Sequence, residues 1–350
     1  MYKQIMKKYI FLIILFTFSA FYGKSENDVI VIDSSDTIPC FKLSEVAQSV
    51  DSISLKIKGM GGAQNVFLSE DYIFLQGVSS VVQYTRSGKL LRILDCEDYT
   101  MDIAGDTTKK ELYVFTGDQG RHDVRCFDMH TGRLKRKFAL DSLEATSCVF
   151  FENALWMLRG AYLNRAVEYS LSKMDCQTGD IQNLGIFYKE SYDKGAIFLS
   201  KGNFSIYQGR LFFALNTGNT VYEIRGDKMA PYLQWQIEPN EHYFPQYEAI
   251  CNKAKVGRYL FVNYRLMFLK EGEGDEDEVA SYWFVKDLES DRQFNVHLEW
   301  EKGVCIRGTE DDICHSGRFT FQPLYSLPNH FYFTKETDEG LTFYIVKVKE

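Results

Sequence analysis

The chain lacks every short motif that announces chemistry on its own. There is no Cys-x-x-Cys, no His-x-His and no His-Glu-x-x-His, so no local zinc or redox motif is present. Gly-x-Ser-x-Gly, the phosphate-binding loop and the dinucleotide fingerprint are missing as well. Prolines number only six in 350 residues, and no long stretch repeats its apolar residues every 3.6 positions, so helix is expected to be minor. Positive charge is in deficit: the net charge is −8 at pH 7. Removing the first 19 residues takes Lys3, Lys7 and Lys8 and no acid, which moves it to −11. A surface that acidic disfavours nucleic acid and anionic membrane as partners.

Long hydrophobic runs are confined to one place. Residues 10–18 form an apolar run behind three lysines, too short to span a bilayer comfortably. Residues 1–23 therefore read as a secretory signal, with Thr17-Phe-Ser19 as the small-residue cleavage site and an uncleaved N-terminal anchor as the alternative. No cysteine follows the run, so lipid attachment has no support. The protein is expected to be exported, periplasmic or extracellular, with no membrane insertion once the signal is gone. Export permits disulfides among the eight cysteines. Cys305 and Cys314 share one polar loop and are the expected pair, whereas Cys126 and Cys148 lie in apolar strand-like surroundings and read as buried thiols.

What the chain has in quantity is aromatic residues, 27 Phe and 22 Tyr, which suit half-buried pleated surfaces. It also has a repeated word. Residues 124–140 alternate apolar and polar positions, turn at Asp128-Met-His-Thr-Gly132, and resume as a second strand. The aspartate can accept backbone N–H groups ahead of it, and the glycine supplies positive φ. Asp175-Cys-Gln-Thr-Gly179 repeats the word, and looser copies end at Gly88, Gly226 and Ser290. Gly88, Gly132, Gly179 and Gly226 stand 44, 47 and 47 residues apart. A period of roughly 40–50 residues with about four short strands is the mark of a β-propeller.

Counting strands in order gives five quartets, within residues 66–94, 101–140, 148–187, 204–237 and 247–300. Residues 319–321, 331–334 and 341–348 make three strands of a sixth, and residues 53–57 supply the fourth, closing the ring by joining the two ends of the chain. The expected fold is all-β: one six-bladed propeller over residues 51–350, four antiparallel strands per blade, with residues 24–50 as a polar lead-in carrying a short helix at 42–50. The segments Tyr72-Ile-Phe-Leu, Val81-Val-Gln-Tyr-Thr-Arg-Ser-Gly-Lys-Leu, Asn219-Thr-Val-Tyr-Glu-Ile and Arg258-Tyr-Leu-Phe-Val-Asn-Tyr-Arg265 resemble secreted six-bladed propellers of Bacteroides-type bacteria, relatives of the NHL and TolB-like propellers. That resemblance implies fold far more than function. One departure is the loop Leu94-Asp-Cys-Glu-Asp98, which stands where a Gly-Pro-Gly-Glu-type turn is expected.

In a propeller the repeated hairpin turns share one face, and the connections between blades emerge at the other. The long connections (188–203, 238–256 and 301–318, with 160–166 and 271–278) then fall on one face, where loops carried on a rigid scaffold can bind. Arg159, Tyr162 and Arg165 in the 160–166 region suit carboxylate, phosphate or sugar, by bidentate hydrogen bonds and stacking. Tyr264 and Arg265 are expected to end a strand on that face, with Tyr243, Tyr247 and Trp300 adding aromatic surface. Each of these residues has a structural alternative, packing a loop or pairing with a local acid. Residues 271–278 gather six carboxylates; their spacing fits a solvated hairpin tip better than a Ca²⁺ loop, although Ca²⁺ stays open as a ligand. Asp128 and Asp175 recur with the turn and read as caps. No catalytic residue and no cofactor is assigned. The expected function is a monomeric binding or protein-interaction module for a protein, carbohydrate or small molecule. The alternatives are a metal-dependent, lactonase-like hydrolase or lyase with ligands ringed around the axis, and a structural component of an envelope assembly.

Overall fold

The computed structural model describes residues 29–37, 43–56, 65–118, 121–140, 144–163, 166–191, 201–216, 218–238, 252–268, 278–290, 292–298, 305–306, 313–314, 322–324, 326–337 and 340–350. It is a ring of six four-stranded antiparallel blades. Blade one comprises Val66–Leu68, Tyr72–Gln76, Ser80–Thr85 and Leu90–Asp95, from the axis outward. Blade two is Tyr99–Asp106, Glu111–Asp118, Arg121–Asp128 and Leu134–Ala139, and blade three is Glu144–Phe151, Ala154–Leu163, Ala166–Asp175 and Ile181–Ser191. Blade four is Gly202–Tyr207, Arg210–Leu215, Thr220–Arg225 and Lys228–Glu238; blade five is Asn252–Val256, Tyr259–Phe268, Glu278–Asp287 and Gln293–Leu298. Blade six takes Gln322–Pro323, His330–Thr337 and Gly340–Val348 from the end of the chain and Ala47–Leu55 from its start.

Alternation along each strand sends side chains into the wedges on either side of its blade. Among the described residues six apolar clusters result, one in each wedge. Phe74 and Val114 share the wedge between blades one and two, Phe115 and Met157 the next, Trp156 and Phe213 the third. Trp235 meets Tyr264 between blades four and five, Trp283 meets Phe331 between five and six, and Val66 meets Phe343 between six and one. The last wedge exists only because the ring is closed. Its register runs antiparallel from Ala47 opposite Val348 to Leu55 opposite Leu341.

The lead-in is more structured than its polarity suggests. Val29–Asp33 is a strand, added parallel to the outermost strand of blade four, with Ile32 fully buried against Trp235 and Ile237. The helix expected at 42–50 shrinks to one 3-10 turn, Leu43–Glu45, because the closing strand already starts at Ala47. Nine residues of Gly340–Val348 offer a partner there, and pairing overrides local propensity. The unusual loop after Leu94 is organised from blade two: the buried Arg125 guanidinium donates to the Cys96 carbonyl and to Asp98, while Glu97 takes φ +60°.

The repeated turns behave as their residues dictate. Asp128 Oδ1 accepts from the backbone N–H of His130 (3.1 Å) and Thr131 (2.7 Å), and Asp175 Oδ1 from Gln177 (2.7 Å) and Thr178 (2.9 Å). Those donors hold both carboxyls below the usual aspartate range. The turn glycines all take positive φ, but their surroundings differ. A Cβ on Gly179 (φ +80°) would lie 2.5 Å from the Phe138 ring, whereas around Gly226 (φ +56°) there is open space. Gly226→Ala should therefore lose about 1 kcal/mol from the left-handed backbone alone, and Gly179→Ala at least about 2 kcal/mol. Urea unfolding of the two variants measures the difference, and equal losses would contradict the packing of Phe138 against that turn.

Candidate functional site: the axial channel and its two faces

Strand direction decides which connections share a face. The turns 69–71, 107–110, 152–153, 208–209 and 257–258 join first to second strands, and 86–89, 129–133, 176–180 and 226–227 join third to fourth. All lie at one end of the ring, the tight-turn face. Connections 192–201, 239–251, 269–277 and 299–321 leave from the opposite end. That division is the one expected. The acidic residues 271–277, with the Ca²⁺ reading attached to them, lie outside the described residues.

The residues singled out from sequence scatter. Arg159 lies inside strand Ala154–Leu163, paired with Ala145 and Ser170, and is 1% exposed. It shares the strand face of Leu155 and Met157, which turn toward blade two, and burial pushes its guanidinium below its ordinary pKa. The loop expected at 160–166 reduces to residues 164–165, since both strands extend to meet across it. Tyr162 stands in that ladder opposite Val167. Tyr264 is fully buried, stacked on Tyr282 at 4.9 Å, and donates its hydroxyl to Asn295 Oδ1 at 3.0 Å. Asn295 in turn donates to the Asp33 carbonyl at 2.8 Å, so Tyr264 works inside the core, tying the added strand to blade five. Arg265 occupies the next position of the strand, opposite Ser281. Cys305 and Cys314 are directly opposed in a two-stranded piece. Arg165, Tyr243, Tyr247 and Trp300 lie outside the described residues.

Sequence reasoning passed over the polar centre. Asp102, on the innermost strand of blade two, is buried and accepts three hydrogen bonds. Asn65 Nδ2 donates at 2.7 Å, the Ile103 N–H at 2.8 Å, and the Cys148 N–H of blade three at 2.7 Å. Asn65 also donates to Gln76 Oε1 (2.9 Å), and Gln76 donates to the Thr100 carbonyl (2.7 Å). The ladder is irregular between Thr100 and Asp102, and the carboxylate bridges from blade two to its neighbours on both sides, Asn65 beside blade one and Cys148 of blade three. The available signal was a charged residue between two apolar ones, Met101 and Ile103, within an inner strand. Lys255 in blade five carries the same signal: it is buried, with Nζ donating to the Gly257 carbonyl at 2.5 Å and 3.7 Å from the Tyr207 ring centre. Burial, helped by Arg210, pushes its pKa down to about 7.

Burial pushes the Asp102 pKa up to about 6, against the pull of Lys201 and the Cys148 donors. The folded protein thus holds a proton that the unfolded chain gives up near pH 4. The contribution of Asp102 to stability should fall as pH rises between about 4 and 6 and stay level above that window. Across it the difference in urea unfolding free energy between the native chain and Asp102→Asn should show this fall; the same pH slope in both proteins would assign the effect to other groups.

No protein-family model matches the sequence, and no curated protein does. Among solved structures, a chain of Bacteroides fragilis NCTC 9343 that carries the name of an exported protein aligns over 92% of this chain and 100% of its own, with a TM-score of 0.61 at 12% identity. The hydrazine synthase of Kuenenia stuttgartiensis (0.46, 11% identity, 79% of this chain and 76% of that one) and the Cps50 (Swd1) propeller domain of Myceliophteria thermophila (0.43, 9% identity, 86% and 100%) are more distant. At 12% identity the likeness to the Bacteroides chain is one of fold, and it extends over nearly the whole of both.

Proposed function

We propose that the protein is an exported propeller of the NHL or TolB-like kind, periplasmic or extracellular, working as a monomeric binding module. Its partner, a protein, a carbohydrate or a small molecule, is engaged at the face of the long connections. One observation carries this reading. Connections on the tight-turn face run to six residues at most, whereas 239–251, 269–277 and 299–321 all leave from the other end. Chain length that stability does not require is kept on one face only, and loops on a rigid scaffold are where binding residues concentrate. Residues of the long-connection face (Arg165, Tyr243, Tyr247, Trp300) then offer a cation and aromatic surface, the types enriched at binding hot spots. Export also makes a Cys305–Cys314 disulfide part of the proposal, since opposed positions of an antiparallel pair lie within disulfide reach.

The test uses the mature chain as bait in envelope extracts, beside Arg165→Ala, the double variant Tyr243→Ala/Tyr247→Ala, and Thr178→Ala on the tight-turn face as control. Recovery of one partner should fall about tenfold or more in the first two, the scale of ~1.4 kcal/mol for one well-placed side chain, and stay unchanged in the control. Equal recovery from all four proteins would refute the face assignment. Stoichiometric divalent metal in the purified protein would favour the hydrolase or lyase reading instead.

A further inference from the structure

Five of the six outer strands are kept from pairing with another chain. That of blade two carries Lys135, Arg136 and Lys137. That of blade three is irregular at two places, with Gly185 at φ +98°. Val29–Asp33 covers blade four, and Asp33 and Glu45 of the lead-in are tied to blade five. The outer strand of blade six, Ala47–Leu55, is mostly polar, with Gln48, Ser49, Asp51, Ser52 and Ser54. Charge, irregularity and cover are the means by which sheets protect an edge. Leu90–Asp95 of blade one is apolar instead: Leu90, Leu91 and Ile93 are 49%, 37% and 63% exposed. Its ladder is regular from Arg92 to Asp95, and among the described residues no strand lies beyond it.

The ladder fixes what this edge offers. Cys96 gives its N–H to the Ser79 carbonyl. Antiparallel partners alternate between bonded and unbonded positions. With Val81 opposite Leu94 and Val82 opposite Ile93, Leu94 and Arg92 turn their backbone groups inward, while Ile93 and Asp95 turn theirs outward. The outward groups of Ile93 therefore sit beside one of the most exposed apolar side chains of the described residues. The charges of the edge are unevenly engaged. Asp95 Oδ1 accepts the Glu97 N–H at 2.9 Å. Lys89 is exposed and Arg92 donates to the His130 carbonyl at 3.0 Å, and among the described residues neither forms an ion pair.

A second copy of the chain fits this edge poorly. Antiparallel pairing centred on Arg92 sets two guanidinium groups opposite each other, and like charges there are destabilising. Pairing centred on Ile93 sets Asp95 opposite Leu91 twice. Blade four shows what an outer edge of this ring accepts: Val29–Asp33, β-branched at its first four positions and acidic at the fifth. We infer that the outer strand of blade one is extended by a segment of another protein, whose apolar residues lie opposite Leu91 and Ile93 and alternate with an acidic one opposite Arg92. The inference does not rest on the long-connection face, because this strand lies on the circumference of the ring.

Three short peptides test this: one alternating valine with glutamate, one alternating valine with lysine, and the glutamate peptide with alternate backbone nitrogens methylated. Each is titrated up to ~1 mM against the mature chain by saturation-transfer NMR. The glutamate peptide should bind, and the lysine and N-methyl peptides should bind about tenfold more weakly or worse. Ile93→Pro removes an outward N–H that the blade's own ladder does not use, and should weaken the glutamate peptide about tenfold. Arg92→Glu should reverse the preference, so that the lysine peptide binds better. Arg165→Ala should leave binding unchanged, which separates this edge from the long-connection face. Thermal unfolding is followed in each variant, and the Arg92→Glu result decides where Ile93→Pro is unstable. No binding of the glutamate peptide, equal binding of its N-methyl form, an unchanged preference in Arg92→Glu, or loss of binding in Arg165→Ala would each overturn the assignment. Sedimentation of the free chain as a dimer that Ile93→Pro dissociates would overturn it too, by making a second copy the occupant.

Discussion

Each blade presents one strand edge to the axis, and the backbone N–H groups along that edge have no strand to pair with. Leaving such groups unpaired in a buried centre costs free energy, so something in the ring has to reach them. Here side chains from other blades do. The Cys148 N–H of blade three goes to Asp102 of blade two, the Gly202 N–H of blade four goes to Ser147 of blade three, and the Leu68 N–H of blade one goes to Ser326 of blade six. Polar residues at the centre of an apolar fold follow from this need. Each one joins two blades, so satisfying the edges also fixes how the blades pack.

The outer edges present the complementary difficulty, and the amino-terminal region handles it twice. Ala47–Leu55 completes blade six, which puts the first and last parts of the chain into one sheet and fills the wedge toward blade one. Val29–Asp33 covers the outer edge of blade four. Between the two, Asn295 of blade five donates to Asp33 and Arg292 donates to Glu45 at 2.6 Å. Asp33 and Glu45 are therefore both tied to blade five, and Tyr264 supports the first of these ties from within by fixing Asn295.

The repeat was legible because it is written in local chemistry. A turn that needs an aspartate to accept N–H groups and a glycine at positive φ imposes itself on the sequence at every recurrence, so the blade count and the closing strand could be read directly. Sites depend on distant pairing, which leaves a fainter trace. Arg159 and Tyr162 look like loop residues beside Gly160, yet two strands continue through them because each offers the other a ladder. Tyr264 looks like an exposed strand end, but its place opposite Tyr282 sets it in a wedge. Val29–Asp33 reads as polar lead-in until blade four offers it an edge. Asp102 and Lys255 were visible as charges in inner strands, but only the ring shows what they meet.

Asp102 and Asp106 lie four residues apart on one inner strand, and the contrast between them separates the two ends of the channel. Asp102 has both oxygens occupied, and its neighbours Asn65, Gln76 and Ser147 also spend hydrogen-bonding groups on holding blades together. A network satisfied in this way has little to offer a ligand, and breaking it would expose a buried carboxylate. Asp106 is half satisfied: one oxygen is fixed by its turn, and the other is buried with no hydrogen-bond donor among the described residues.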